Sequence, residues 1–252
     1  MTEQALAFYE AQGACFVPTD INISPWNAKG QNGVALAGLA GHVIGQVPCP
    51  AEMHTARLTI DILGLVPRLP LEALIRVVRE GRRVQLVEVD LVAGGRTCVR
   101  ATALRTRIAP SPVSDQPLIH PLPDPDKAQG KVPWVRMHRL QGSFLQVGPG
   151  AQWVQILTRV VAGHDLTPLE RVAMIADFGS STAPLVLPRE WTFANLDVSA
   201  HLTRLPQGEW LLLETTSASS GNGIGVVDTR LGDVAGMFGH PHQTVFLDPR
   251  QG

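Results

Sequence analysis

The chain has 252 residues, of which 44% are hydrophobic and 17% charged, with a formal net charge of -1. That balance supports a sizeable core in one large domain or two small ones. It speaks against a nucleic-acid partner, since affinity for a duplex rests on many Lys and Arg contacts to phosphate.

The N-terminal stretch, Met1 to Phe16, has acids at Glu3 and Glu10 and no long apolar core, unlike a signal peptide. It reads as a short amphipathic helix packing through Leu6, Phe8 and Tyr9. Ala14 to Ile23 reads as a strand, and Asn32 to Ile44 as a helix of small residues: Gly33, Ala35, Ala37, Gly38, Ala40 and Gly41. Such residues are poor formers of an isolated helix. They suit a helix whose backbone must approach a sheet closely. Strand-like runs follow at Arg57–Leu65, Leu71–Glu80, Arg83–Val92 and Thr97–Ile108, with a hairpin signal at Gly94-Gly95.

From Ala109 to Pro133 the chain carries prolines at 110, 112, 117, 121, 123, 125 and 133, seven of its 20. Proline lacks an N–H and fixes φ, so this stretch reads as an extended surface linker. The order of elements then repeats. Trp153–Val161 reads as strand and Pro168–Phe178 as helix, announced by the capping box and first-turn proline of Thr167-Pro168-Leu169-Glu170. Thr192–Leu202, Glu209–Ser217, Ile224–Leu231 and Met237–Leu247 read as strands. The expected domains are 1–108, a linker 109–133, and 134–252.

Cys15, Cys49 and Cys98 are far apart and odd in number, so no disulfide framework or CxxC metal site is readable. That fits a reducing compartment, and a cytoplasmic location is expected. No uncharged apolar run of about 18 residues occurs, so no membrane insertion is expected. His240-Pro241-His242 has no neighbouring acid or cysteine pattern of a metal site, and no metal is expected. Gly-x-Ser-x-Gly and Walker A strings are absent, and Gly221-Asn222-Gly223-Ile224-Gly225 fits a hairpin turn.

One long helix followed by about four antiparallel strands, occurring twice, is the hotdog pattern. The expected fold is α+β: a double hotdog, two antiparallel sheets joined into one, each wrapping a central helix. The segment Ala194-Asn195-Leu196-Asp197-Val198-Ser199-Ala200-His201-Leu202-Thr203-Arg204, with Gly208-Glu209-Trp210-Leu211-Leu212, resembles the signature of the acyl-CoA thioesterase II family. Glu214-Thr215-Thr216-Ser217-Ala218-Ser219-Ser220 is similar to the family's next strand, and Gly236 to Thr244 to its last strand with a terminal Gln. Arg57 to Asp61 and Glu80 to Gln85 resemble its N-terminal half.

The resemblance implies hydrolysis of acyl-CoA thioesters, in lipid metabolism, with a triad at Asp197, Thr216 and Gln243. A thioester is already an activated acyl group, so a positioned water can attack it directly. Asp197 would accept the water's proton or orient it, while Thr216 and Gln243 hold the water in line. The helix start Gln31-Asn32-Gly33 looks like the family's Gly-Gly start, which makes the Gly33 N–H the expected oxyanion donor. Asn32 stands where the family often has Gly; its side chain would add a donor or narrow the entrance. Arg204, Arg82 and Arg83 are cations for coenzyme A phosphates or, for the last two, solvated charge. No cofactor is implied beyond coenzyme A carried in as substrate, and a homo-oligomer, a dimer, is expected.

Aligning the halves places Thr59 near Asp197, Val78 near Thr216 and Thr102 near Gln243, so one site per chain is expected. Two rival readings share the fold. An enoyl-thioester hydratase needs an Asp-x-x-x-x-His pair, found only at Asp115 and His120 inside the linker. A non-catalytic acyl-thioester binder would keep the fold without turnover.

Overall fold

The computed structural model describes residues 6–114, 117–118, 120–124 and 132–250. In chain order, the first elements are β1 (Ala7–Gln12), β2 (Cys15–Pro18), α1 (Gly33–Gln46), β3 (Met53–Ile62), β4 (Leu71–Arg79), β5 (Val84–Ala93) and β6 (Arg96–Arg107). Then come β7 (Val135–Ser143), β8 (Gln146–Ile156), β9 (Arg159–Val161), α2 (Pro168–Ala176) and α3 (Gly179–Thr182). The last are β10 (Trp191–Asn195), β11 (Asp197–Leu202), β12 (Trp210–Ser219), β13 (Ile224–Asp233) and β14 (Gly236–Pro249).

The chain forms two compact units. The first comprises Met1–Ile108 with Leu157–Met174, the second Ala109–Ile156 with Ile175–Gly252. The expected C-terminal domain 134–252 is therefore interrupted. The single strand expected over Trp153–Val161 breaks at Leu157-Thr158, and β9 pairs in parallel with β1, Ala7 opposite Arg159 and Tyr9 opposite Val161.

In the first unit the strand order is β3-β6-β5-β4-β2-β1-β9. The amphipathic helix expected over Met1–Phe16 is instead strand β1, its first five residues lying outside the described ones. Phe8 and Tyr9, adjacent in sequence, are both fully buried, so both faces of the first half of β1 are covered, while Glu10 to Gln12 are exposed. Gly94 and Gly95 form a two-residue hairpin loop with φ of 55° and 77°, a turn that needs left-handed backbone at both positions. Residues Val34 to Ile44 of α1 are all buried. A Cβ on Gly38 would lie 2.8 Å from Met174 Cγ, and one on Gly41 would lie 3.1 Å from Ala173 Cβ. The small residues thus let α1 approach α2, as well as the sheet.

The two helices are tied by a buried polar pair. His42 Nδ1 lies 2.5 Å from Glu170 Oε1, and Glu170 Oε2 accepts from the Thr167 N–H at 2.5 Å. The capping box read from sequence therefore also holds α1. At the C-terminus of α1, one turn beyond His42, the buried Arg105 donates to the carbonyls of Val47 (2.7 Å) and Ile44 and to Gln85 Oε1 (3.0 Å). A cation there satisfies carbonyls that the helix end leaves open.

In the second unit the order is β7-β8-β12-β13-β14-β11, with β10 also on β14. β10 and β11 continue one line along β14, broken at Leu196. Asn195 pairs with Val245 and Ser199 with His242, so residues 196–198 face only 243–244. That extra residue is a β-bulge. The described linker residues form no helix or strand. Leu118 packs on the cluster of Trp153, Leu212 and Met237, and Trp153 Nε1 donates to the Pro121 carbonyl at 2.9 Å.

Candidate active site

Strand pleating decides which side chains share a face. Thr215 of β12 is paired with Thr229 of β13, and their hydroxyls are 3.1 Å apart in the interior. Gln243 of β14 lies opposite Val227 and is buried on that same inner face, against α3. Its Oε1 accepts from the Ser180 N–H at 3.0 Å, and its Nε2 donates to the Asp177 carbonyl at 3.3 Å. Both ends of the amide are fixed. Gly179 makes room for it: a Cβ there would sit 2.2 Å from Gln243 Oε1 and 2.9 Å from Thr229 Oγ1.

Asp197 sits at the bulge. Its Oδ1 accepts from the Thr244 N–H at 2.7 Å, replacing a ladder acceptor displaced by the extra residue. Its carboxylate is therefore anchored on the residue next to Gln243, and the side chain is half-buried. Thr216 is not brought to Gln243. It is exposed on the opposite face, paired with Asp228, which in turn pairs with His242. That outer face carries an open cleft with three polar side-chain pairs: His242 Nδ1 to Asp228 Oδ1 (2.6 Å), His120 Nε2 to Glu214 Oε1 (3.4 Å) and Arg230 Nη1 to Glu214 Oε2 (3.2 Å). Burial first, then the charges of Arg230, His242 and His201, lower the His240 pKa. His120 of the hydratase-like spacing thus meets Glu214, while Asp115 lies outside the described residues.

Arg204, expected to meet phosphate, is committed elsewhere. Its guanidinium is bidentate to the fully buried Asp233 at 2.6 and 2.7 Å, donates to Leu205 O and Gly236 O, and stacks 4.9 Å from the centroid of Phe238. A guanidinium so engaged secures the β13–β14 turn and has little left for a ligand. In the first unit Asn32 is the N-cap of α1. Its Oδ1 accepts from the Val34 N–H at 3.0 Å, and its own N–H donates to Asn22 Oδ1 at 2.9 Å. The Asn32 carboxamide therefore closes the helix start through its oxygen. Gly33, the first residue of α1, is partly exposed.

Two family models match the chain: one described as acyl-CoA thioesterase C-terminal domain over residues 114–247, the other as acyl-CoA thioesterase N-terminal domain over residues 22–106. The chain belongs to the acyl-CoA thioesterase family. Among solved structures it is similar to an acyl-CoA thioesterase II, TesB2, from Mycobacterium marinum, with 17% identity, a TM-score of 0.69, and 98% of this chain and 96% of that chain covered. It is similar to a tesB protein from Mycobacterium avium subspecies paratuberculosis at 15% identity, TM-score 0.72, covering 96% of both chains. A hot dog fold protein from Alicyclobacillus acidocaldarius shares 12% identity at TM-score 0.70, over 97% of this chain and 96% of that one. No curated protein matches the chain. The fold is the α+β double hotdog, and the protein is a thioesterase.

The sequence reading of this thioesterase missed Asp177, Asn195 and Thr215. Asn195 Nδ2 donates to Asp177 Oδ1 at 2.7 Å and to its carbonyl at 3.1 Å, while Asn195 Oδ1 is buried with no partner among the described residues. Burial pushes the Asp177 carboxyl from 3.8 up to about 6, against the opposing pull of the Asn195 hydrogen bond. One signal was readable: an acid in the last turn of the expected helix Pro168–Phe178, where the dipole disfavours negative charge. Among the described residues no helix is long and apolar enough to cross a membrane, and no group of acids, His and Cys is set to hold a metal.

Proposed function

We propose that the chain hydrolyses acyl-CoA thioesters to a free acid and coenzyme A by direct attack of water. The water oxygen bonds to the thioester carbonyl carbon, Asp197 takes the proton, and the C–S bond breaks with that proton passing to the departing sulfur. Gln243 holds the water's line of attack. The observation that carries this reading is the pairing of a locked, buried Gln243 amide with a carboxylate anchored on the next residue's N–H. Thr216 belongs to the proposed triad by resemblance, yet the hydroxyl on the face of Gln243 is that of Thr215.

The test is free-thiol release from short, long and aromatic acyl-CoAs. Asp197→Asn is expected to lower kcat by at least about a hundredfold, the usual worth of a general base. Gln243→Ala should cost on the order of 10²-fold, as for a lost preorganised donor. A wild-type rate in Asp197→Asn would remove that residue from the mechanism. Bound acyl-CoA with no turnover in the wild type would make the protein a binder.

A further inference from the structure

We propose that Asp177 is a positioning residue of the hydrolytic site: its carboxylate holds Asn195 at the bulge that presents Asp197, and its carbonyl holds the Gln243 amide. This rests on the reading above and adds to it the group that joins its two halves. Asp177 lies at the end of α2, and three contacts meet on it. Asn195 Nδ2 reaches Oδ1 at 2.7 Å and the carbonyl at 3.1 Å, and Gln243 Nε2 reaches the same carbonyl at 3.3 Å. Asn195 is the last residue of β10, two before Asp197 and one before the break at Leu196. A bulge has no continuous ladder to fix it, so a side-chain tether there sets where the next residues point. Gln243 is tied from the other side by Ser180 N–H at 3.0 Å. One short turn, residues 177–180, therefore aligns both the carboxylate strand and the amide strand.

The carboxylate is the right group for the tether. An ionised oxygen accepts from an amide N–H more strongly than a neutral one. Raised to about 6, the Asp177 carboxyl is ionised at neutral pH and loses its charge within the range where hydrolysis is measured. Holding a charge in that place costs stability. Stability contributed by this group is fully present below 3.8 and is lost as pH rises through about 6, because the folded protein disfavours the ionised form. A neutral isostere escapes that loss and weakens the grip on Asn195.

Asp177→Asn tests this without altering shape. The expected result is a kcat at least tenfold below wild type with KM within twofold, loss of the acid limb near pH 6, and a Tm advantage over wild type that grows from about pH 4 to about pH 6 and is level above about pH 7. Asn195→Ala should lower kcat likewise and move the acid limb to higher pH, since the bond it removes holds the Asp177 pKa down. Wild-type kcat and an unchanged acid limb in a folded Asp177→Asn, alongside an inactive Asp197→Asn, would overturn the proposal and leave the hydrolytic reading standing. Absence of thiol release from the wild type would overturn both.

Discussion

Gly179 is the residue on which the geometry of Gln243 most depends. Its missing side chain leaves space that a methyl group would take at 2.2 Å from Gln243 Oε1. Because that oxygen is held by Ser180 N–H, Gly179→Ala has to turn the amide away. Displacements of this size typically cost up to about 10²-fold in rate. The expected outcome is therefore a fall in kcat of tenfold or more, with the urea midpoint little changed. Arg204 makes the opposite case. With Asp233 buried and bidentate to it, Arg204→Ala should lower stability by roughly 2–3 kcal/mol in urea unfolding and leave KM for acyl-CoA unchanged. A raised KM at unchanged stability would restore Arg204 as a phosphate ligand. Asp197 and Gln243 can be proposed from sequence because they sit inside contiguous strings that resemble a family. Thr215 and Thr216 were not separable in the run Glu214-Thr-Thr-Ser, where nothing but strand register tells inward from outward. Asp177 needed the fold itself, because its partners lie 18 residues away at Asn195 and 66 at Gln243.

At the scale of elements, the start of α2 shows how a local signal hides a distant one. The Thr167–Glu170 box is readable from four residues. That the same carboxylate also receives His42, 128 residues earlier, is not. Glu170→Ala removes a cap and leaves a buried imidazole without its partner. Together these are expected to cost roughly 3–5 kcal/mol, measured as the shift in chemical unfolding. Thr167→Ala removes only one side of the box and should cost about 1 kcal/mol. The N-terminal strand was misread for a related reason. Leu6, Phe8 and Tyr9 fit a helical stripe, but β1 is flanked by β2 and β9 and is buried on both faces over Ala7–Tyr9 and exposed beyond, so the period-two pattern that marks a half-exposed strand is absent. Gly94-Gly95 was legible because its turn type demands left-handed backbone at both positions and few other residues supply it.

Across the whole molecule, the proline-rich segment was rightly seen as lacking helix and strand in its described part, yet its docking through Leu118 and Pro121 was invisible in composition. The interleaving of the chain was equally hidden, since a run such as Trp153–Val161 gives no hint that its last five residues join a different unit from its first four. A fragment ending at Ile156 lacks β9 and α2, and with them the buried Val160 and Val161, the Glu170 partner of His42, and Met174 against Gly38. That fragment is expected to melt without a cooperative transition, whereas the intact chain melts sharply in the same calorimeter.

The parallel pairing of β9 with β1 bears also on how the protein is made. Synthesis runs from the N-terminus, and a domain of contiguous sequence can begin to fold as it leaves the ribosome. Here the opening unit is finished by Leu157–Met174, so the whole of the second unit's first segment is translated before the missing parts arrive. β1 waits with an open edge through that interval. Nascent chains of this thioesterase therefore pass through a stage in which two unfinished sheets coexist, and that interval is when a chaperone has most to protect.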